Sequence, residues 1–175
     1  MKKYKFFDGS SIMVPDNTCR GCYLETTDEV PVDLRALWSN KNFTIRQDAE
    51  CPVPGFYILA ARKHIHSIGD LNIKEAGELG IIVNRLRFNM KKALNIQKVH
   101  VFLEEKLVEP HLHIWLLPLW PEVMKKNDID PKIWNSNILQ YLNLFKYEEN
   151  SELINEYNNK IELALASDME LKKLI

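Results

Sequence analysis

The sequence lacks a long apolar run, has no excess of basic charge and contains only three cysteines. No stretch reaches the about 18 apolar residues that a membrane-spanning helix needs. Because 23 basic side chains face 24 acidic ones, the net charge of −1 does not favour non-specific binding to nucleic acid or anionic membranes. The first residues, MKKYKFFDGSS, lack the apolar segment of a secretion signal. With an odd number of cysteines, this predicts reduced thiols and a cytoplasmic protein.

The composition is that of a folded globular chain, with 46% hydrophobic and 27% charged residues, which excludes global disorder. A length of 175 residues fits one compact domain with its own core. We divide the chain into an N-terminal segment of residues 1–18, a domain of residues 19–120 and a helical C-terminal extension of residues 121–175. The extension is expected to pack on the domain or on a partner chain.

The middle of the chain carries the pattern of an antiparallel α+β layer. Residues 43–48 alternate apolar with polar side chains, a Pro- and Gly-containing turn follows, and residues 55–61 form an apolar strand. Asn72 and Glu75 have the spacing of a capping box, and a long amphipathic helix is predicted after them. Residues 98–104 and 110–118 predict two further strands. The resulting β-β-α-β-β order favours one sheet with one long helix on a face.

The C-terminal region is predicted to be helical, and residues 28–37 are predicted to connect elements. One short amphipathic helix fits Trp134, Ile138, Tyr141, Leu142 and Phe145. A second helix fits Leu153, Ile154, Tyr157, Ile161 and Leu165. We expect Trp120 and Trp134 to pack in the protein rather than to stack on a nucleotide.

The segment PHLHIWLLP is the first candidate for chemistry. Since alternate residues of a strand share a face, His111, His113 and Trp115 point one way, and the leucines and isoleucine between them point into the core. Two imidazoles about 7 Å apart on a rigid strand are well placed for a ligand or a reacting group. The alternative is a strand with two solvated histidines.

A metal site is the second candidate. Cys19 and Cys22 form a C-x-x-C knuckle, in which Gly21 permits a tight turn, and His64 follows the apolar strand. With His111 these residues supply two thiolates and two imidazoles, the donor set of a closed tetrahedral Zn²⁺ site. The alternatives are a redox-active cysteine pair or two unrelated thiols, and His66 in place of His64 as a ligand.

These motifs resemble those of the histidine triad (HIT) family over residues 19–118. The segment PHLHIWLLP matches the H-φ-H-φ-H-φ-φ signature, where φ is apolar, except at the third His. Cys19, Cys22, His64 and His111 resemble the zinc ligands of the zinc-containing branch. Asp48, with Gly55 seven and His64 sixteen residues later, has the spacing of the family's strand-end Asp, Gly and His. The resemblance implies a five-stranded antiparallel sheet with one long helix and a homodimer.

The resemblance also implies roles for single residues. His113 corresponds to the family's nucleophile, which attacks a nucleotide phosphate and forms a nucleotidyl-histidine intermediate. Asp48 corresponds to the residue that binds ribose hydroxyls, although an Asp that only opens the following turn is the alternative. Trp115 occupies the third triad position, where it narrows the phosphate pocket or offers a stacking surface.

Two departures from the family pattern bear on the activity. Trp115 donates one N–H and accepts nothing, so it cannot pass a proton to a leaving group. Glu109, just before the triad, would repel a polyphosphate unless a cation such as Arg46, Arg62 or Lys63 paired with it. Both departures place ordinary dinucleoside polyphosphate hydrolysis in question.

The sequence thus predicts a HIT-like nucleotide phosphohydrolase or nucleotidyltransferase, similar to diadenosine polyphosphate hydrolases, with a structural zinc ion. Two alternatives stay open. One is a nucleotide-binding or scaffold module without turnover. The other is a catalytic metal, which requires His111 or His64 to leave the coordination sphere.

Overall fold

The centre of the protein is a five-stranded antiparallel sheet in the order β3-β4-β5-β7-β6. The computed structural model describes residues 1–31, 34–130 and 134–175 of the chain. The strands of this sheet are β3 (Trp38–Ser39), β4 (Phe43–Gln47), β5 (Tyr57–Ala61), β6 (Val99–Leu103) and β7 (His113–Pro118). The predicted α+β class and the β-β-α-β-β order are confirmed.

The remaining elements within the described residues are a small second sheet, six α-helices and a short 3-10 helix at Ile68–Asp70. β1 (Lys2–Lys5) pairs with β2 (Ser11–Val14) in antiparallel register. The helices are α1 (Arg20–Leu24), α2 (Ile73–Leu94), α3 (Pro121–Lys126), α4 (Trp134–Leu142), α5 (Tyr147–Ser167) and α6 (Met169–Lys172). None of the helices in the described ranges is long and apolar enough to cross a membrane.

The long helix α2 starts at the predicted capping box. The Asn72 side chain accepts a hydrogen bond from the Glu75 backbone N–H at 2.9 Å, and the Glu75 carboxylate accepts one from the Asn72 N–H at 3.2 Å. These bonds satisfy two backbone donors that a helix start leaves open, and such a cap contributes about 1 kcal/mol. The helix ends at Asn95, which has a φ of 57° and closes the last turn in the left-handed region.

The two faces of the sheet have different neighbours. On one face, Ile45, Leu59 and Ile114 lie side by side and pack against the buried side chains of α2, which are Leu79, Ile82, Leu86 and Met90. On the other face, the register places Ala60 beside His113 and Ile58 beside Trp115. The sheet therefore uses one side for the core and presents the triad residues on the opposite side.

The C-terminal helices fold back onto the domain. Ile161 and Leu165 of α5 and Leu171 of α6 are fully buried in the main core, where they contact the side of α2. The sheet face that carries His113 and Trp115 is the triad face. A second apolar cluster joins α3 and α4 to the end of this face. The two predicted tail helices form, although α4 ends at Leu142 and leaves Phe145 outside it. Trp120 packs near Tyr157 with ring centroids 6.1 Å apart. The predictions for residues 28–37 and for the side chain of Trp134 fall in part or wholly outside the described residues.

The triad strand begins later than the sequence predicts. β7 starts at His113, whereas alternation predicted a strand from residue 110. Pro110 has no N–H to donate and Glu109 has a φ of 52°, so the chain turns here before it can pair regularly. Leu112 still donates to the Ile65 carbonyl at 2.8 Å, which holds the approach to the strand in place.

Candidate metal centre and active site

The structure brings the four predicted metal ligands together. One donor atom from each of Cys19, Cys22, His64 and His111 lies within 4.8 Å of the others. Cys19 is the N-cap of α1, and Cys22 lies one turn further on. His64 follows the end of β5, and His111 precedes β7. Two adjacent strand ends and one short helix thus converge at one edge of the triad face.

The distances between these donors match a tetrahedral zinc site. His111 Nδ1 lies 3.4 Å from Cys19 Sγ and 3.7 Å from Cys22 Sγ, and His64 Nδ1 lies 3.4 Å from Cys22 Sγ. Zinc bonds of about 2.3 Å to sulfur and 2.0–2.1 Å to nitrogen, at tetrahedral angles, separate the two donors by about 3.6 Å. Burial and the neighbouring Cys19 thiol raise the pKa of Cys22 to about 11, and a bound cation would favour the Cys22 thiolate. The residues therefore fit a zinc ion.

The ring nitrogens of the two histidines are oriented by their other hydrogen bonds. His111 Nε2 lies 2.7 Å from the Ala61 carbonyl oxygen, which only accepts, so Nε2 carries the proton and Nδ1 keeps its lone pair. His64 Nε2 lies 3.1 Å from His66 Nε2. His66 thus contacts the outer nitrogen of His64, while the inner nitrogen of His64 faces the thiols.

Gly21 has a different role from the predicted one. It lies inside α1, and a Cβ atom there would stand 2.6 Å from Cγ and 2.7 Å from Nδ1 of His111. The glycine therefore makes room for the imidazole to lie against the helix. The C-x-x-C spacing could not reveal this close approach, because His111 is far away in the sequence.

His113 has the geometry of a neutral nucleophile. Its Nδ1–H donates to the His111 carbonyl oxygen at 2.7 Å, which leaves Nε2 unprotonated. Burial, followed by smaller effects that include the positive charge of Lys106, lowers the pKa of His113 below its usual value. At neutral pH the ring is therefore uncharged, with a lone pair on Nε2.

His113 lies on the wall of a cavity of about 250 Å³ between α1 and the sheet. Asp48 lines the same cavity at the end of β4, and burial raises the pKa of its carboxyl to about 6. Asp48 Oδ1 accepts backbone hydrogen bonds from Glu50 at 3.0 Å and Cys51 at 2.6 Å. The Asp48 side chain therefore stabilises the turn and also belongs to the cavity wall.

Trp115 lies beside His113 on the wall of the cavity. Its indole meets Phe56 edge-on at 5.6 Å and Phe102 edge-on at 6.1 Å between ring centroids. The His113 ring lies 6.0 Å away. The third triad position is thus an apolar wall that continues into the cluster under α3 and α4.

Glu109 is neutralised by partners that the sequence did not predict. Lys2 forms an ion pair with one of its carboxylate oxygens, and Tyr4 donates its hydroxyl to the other at 2.6 Å. The expected partners are engaged elsewhere, since Arg46 and Arg62 pair with Glu25, and Lys63 pairs with Glu75. The cations named as examples from the sequence therefore do not pair with Glu109, because the N-terminal hairpin, which supplies Lys2 and Tyr4, carries no recognisable pattern in the sequence.

Solved structures with the same fold are histidine triad proteins. A HIT-like protein involved in cell-cycle regulation from Bartonella henselae is 17% identical with a TM-score of 0.58, over 86% of this chain and 99% of that chain. A Zn-bound histidine triad family protein from Mycobacterium smegmatis is 13% identical with a TM-score of 0.58, over 89% and 96% of the two chains. A hypothetical histidine triad nucleotide-binding protein from Sulfolobus tokodaii is 16% identical with a TM-score of 0.59, over 83% and 91%.

No family model and no curated protein matches the sequence. The identities to the three solved structures are low, so the likeness concerns the course of the chain rather than its side chains. The matches nonetheless span most of both chains in each comparison. The resemblance seen in the sequence is thereby confirmed at the level of architecture: the chain has the histidine triad fold.

Proposed function

We propose that this protein is a histidine triad nucleotide phosphohydrolase or nucleotidyltransferase that acts through a nucleotidyl-histidine intermediate on His113. The observation that carries the proposal is the hydrogen bond from His113 Nδ1–H to the His111 carbonyl, which leaves Nε2 as the unprotonated nitrogen of a cavity-lining ring. The lowered pKa of His113 supports the same role, because only the neutral ring is nucleophilic.

The reaction follows from this arrangement. The Nε2 lone pair of His113 attacks the α-phosphorus, a P–N bond forms, and the P–O bond to the leaving group breaks with its electron pair on oxygen. A water molecule or another acceptor then attacks the phosphorus, and the P–N electron pair returns to Nε2. The acceptor's proton passes to solvent. Throughout, the His111 carbonyl holds the proton of Nδ1 and fixes the ring.

Asp48 is proposed to bind the ribose of the nucleotide. It is a buried carboxylate on the cavity wall. Both turn hydrogen bonds end on Oδ1, and Oδ2 takes part in neither of them. A carboxylate accepts hydrogen bonds from two neighbouring hydroxyls, which suits the ribose diol. Trp115, which lines the same cavity, is also proposed to contact the substrate.

A structural zinc ion is proposed at Cys19, Cys22, His64 and His111. Bound there, zinc would join α1 to the sheet, and four protein ligands would leave it no place for a reacting water. His111 connects this centre to the nucleophile, since its side chain is a ligand and its carbonyl holds His113. Elemental analysis should find one zinc per chain in the purified protein, and Cys22→Ser should reduce that content. A metal-free protein with the same stability would contradict the proposal.

A homodimer in the cytoplasm is the proposed state of the protein. The cysteines at 19, 22 and 51 are free thiols, as expected in a reducing compartment. Exposed apolar side chains on α2, Ile81 and Phe88, and on the outer strand β6, Val101 and Leu103, offer a surface for a second copy. Light scattering after size-exclusion chromatography should give twice the chain mass, and a monomer at micromolar concentration would refute the dimer.

The activity is tested by trapping the intermediate. Diadenosine tetraphosphate and adenosine 5′-phosphoramidate, each labelled at the α-phosphorus, are incubated with wild-type protein and His113→Ala. We expect an acid-labile phosphoramidate adduct on the wild type and none on His113→Ala. His100→Ala is the matched control, because that imidazole stacks on Phe102 with ring centroids 4.0 Å apart and is not part of the cavity wall. Turnover that persists in His113→Ala would exclude the mechanism.

The second candidate is a nucleotide-binding module without turnover. It is favoured by Trp115, because the indole replaces a titratable ring with an apolar wall packed between Phe56 and Phe102. In that case the wild type would bind adenosine 5′-monophosphate but form no adduct. The same labelling experiment, combined with calorimetry, separates the two candidates.

A further inference from the structure

The loop between β6 and the triad carries a cation that the mechanism above does not use. Among the described residues, the basic side chains on the cavity wall are Arg20, Arg46 and Lys106. Arg20 forms an ion pair with Glu50, and Arg46 forms a buried one with Glu25 at 2.5 Å.

The pairing of Lys106 is weaker than that of the two arginines. Its carboxylate partner is the half-exposed Glu104, with 3.8 Å between the nitrogen and the oxygen. Of the three cations, the Lys106 ammonium thus has the longest distance to its carboxylate partner. An incoming anion competes least with a protein carboxylate at this position.

Trp115 holds this ammonium. Lys106 Nζ stands 5.8 Å from the centroid of the indole ring, within the range of a cation–π contact. The indole cannot carry a charge itself, but its face attracts one. The charge of Lys106 also reaches the neighbouring imidazole of His113, on which it is one of the electrostatic influences.

The loop is anchored on both sides of Lys106. The Glu105 carboxylate accepts the Ile68 backbone N–H at 3.1 Å, and Glu109 is bound by Lys2 and Tyr4. These contacts fix the backbone of the loop where Lys106 leaves it. The ammonium is therefore positioned over the cavity by the fold and does not depend on a substrate to bring it there.

We propose that the Lys106 ammonium binds the phosphoryl oxygens of the substrate in place of a third imidazole, and that Trp115 is a positioning residue for that ammonium. The inference rests on the proposed function, to which it adds the group that meets the phosphate. As the P–N bond to His113 forms and the P–O bond breaks, the ammonium donates hydrogen bonds to the anionic oxygens and transfers no proton. An arginine at position 106 can make the same bonds, whereas a methionine cannot.

The first test measures affinity, so it does not depend on turnover. Binding of adenosine 5′-monophosphate and of adenosine is measured by calorimetry for the full-length wild type, Lys106→Met and Lys106→Arg. We expect Lys106→Met to weaken binding of the monophosphate by about 10- to 100-fold, the usual loss for a charged hydrogen bond. Adenosine affinity should change by less than about two-fold, and Lys106→Arg should stay within about three-fold of the wild type.

The matched control is Lys92→Met. Lys92 Nζ also stands 5.8 Å from an aromatic centroid, that of Phe88, but on α2 and away from the cavity wall. This variant should bind both ligands as the wild type does. Equal losses of monophosphate and adenosine affinity in Lys106→Met, or no loss of either, would overturn the proposal. So would a wild type that does not bind the monophosphate.

The second test restores an imidazole at position 115 and removes the ammonium of Lys106, separately and together. In Trp115→His, the restored imidazole should take over contact with the phosphate, so adding Lys106→Met should cost less than it does in the wild type. Thermal melting verifies that both variants fold. In the Trp115→His background, losses that simply add would contradict the shared role. If Trp115→His does not fold, Trp115→Phe replaces it, and because phenylalanine keeps a ring face but supplies no imidazole, Lys106→Met should then cost as much as it does in the wild type. The proposed function fails separately, when no adduct forms on His113.

Discussion

Gly21→Ala should damage the metal centre although it adds only one methyl group. The new Cβ would stand 2.6 to 2.8 Å from three atoms of the His111 ring. An ordinary carbon contact begins near 3.4 Å, so the ring or the helix would have to move by about 0.8 Å. The ring has little freedom to do so, because its Nε2 is bound to the Ala61 carbonyl at 2.7 Å and its Nδ1 faces the Cys19 thiol at 3.4 Å.

The expected cost follows from this crowding. Forcing an extra methyl group into a packed site typically costs about 1–3 kcal/mol. Because the displaced group is one of the proposed ligands, the cost should fall on metal binding, and zinc affinity should drop by about 5- to 150-fold. The same shift would move the His111 carbonyl that orients His113. We therefore expect adduct formation to fall together with zinc affinity.

The assay is zinc competition against a chromophoric chelator, with thermal melting in parallel. Gly80→Ala is the matched control, since Gly80 lies on the exposed side of α2 and a Cβ atom added there would meet no other atom within 4 Å. That substitution should leave zinc affinity unchanged and raise stability by about 0.5–1 kcal/mol through helix propensity. If Gly21→Ala bound zinc as tightly as Gly80→Ala, the close approach of His111 would not matter and the reasoning would be wrong.

Three further predictions concern stability. Burial raises the pKa of Asp48 to about 6, so its contribution is largest below pH 4 and is lost as the pH rises through 6. Urea denaturation should therefore show the wild type gaining up to about 3 kcal/mol over Asp48→Asn between pH 7.5 and pH 4, and parallel curves would refute this. Asp168→Ala should cost about 2–4 kcal/mol in the same assay, because it leaves Arg85 without its buried partner at 2.8 Å, whereas Glu170→Ala on the exposed surface should cost under about 0.5 kcal/mol. A zinc chelator should lower the melting temperature of the wild type and have little effect on Cys22→Ser, and an equal shift in both would argue against a metal at that centre.

The parts of the fold that the sequence predicts are those with local signals. The capping box at Asn72 and Glu75 and the alternation around Phe43 involve neighbours in sequence, and both elements form where predicted. The four candidate metal ligands were recognisable because the C-x-x-C pair is local and the donor set is chemically specific. Their convergence depends on the sheet, but the β-β-α-β-β order already places two of them at adjacent strand ends.

The unpredicted parts depend on contacts between distant residues. The β1 strand reads KKYK, which has no apolar alternation, and it exists because it pairs with β2. Glu109 accepts a hydrogen bond from Tyr4, which lies 105 positions away in the sequence, and no sequence pattern predicts that contact. The amphipathic face of α5 indicates burial but not against which surface, and only the structure shows Ile161 in the main core beside α2.

His113 has the candidate metal centre on one side, through His111, and Trp115 with Lys106 on the other. Substitutions on the two sides should have different effects. The side chain of His111 is one of the four candidate metal ligands and its carbonyl accepts the Nδ1–H of His113, so a change at the proposed metal centre would reach the proposed nucleophile through one residue. The Trp115 ring lies 6.0 Å from the His113 ring between centroids, and we propose that it acts on the substrate phosphate through the ammonium of Lys106. Changes at the metal centre should therefore lower adduct formation and stability together. Changes at the Lys106 end should lower phosphate affinity and leave stability intact, because that contact lies at the cavity rather than in the core.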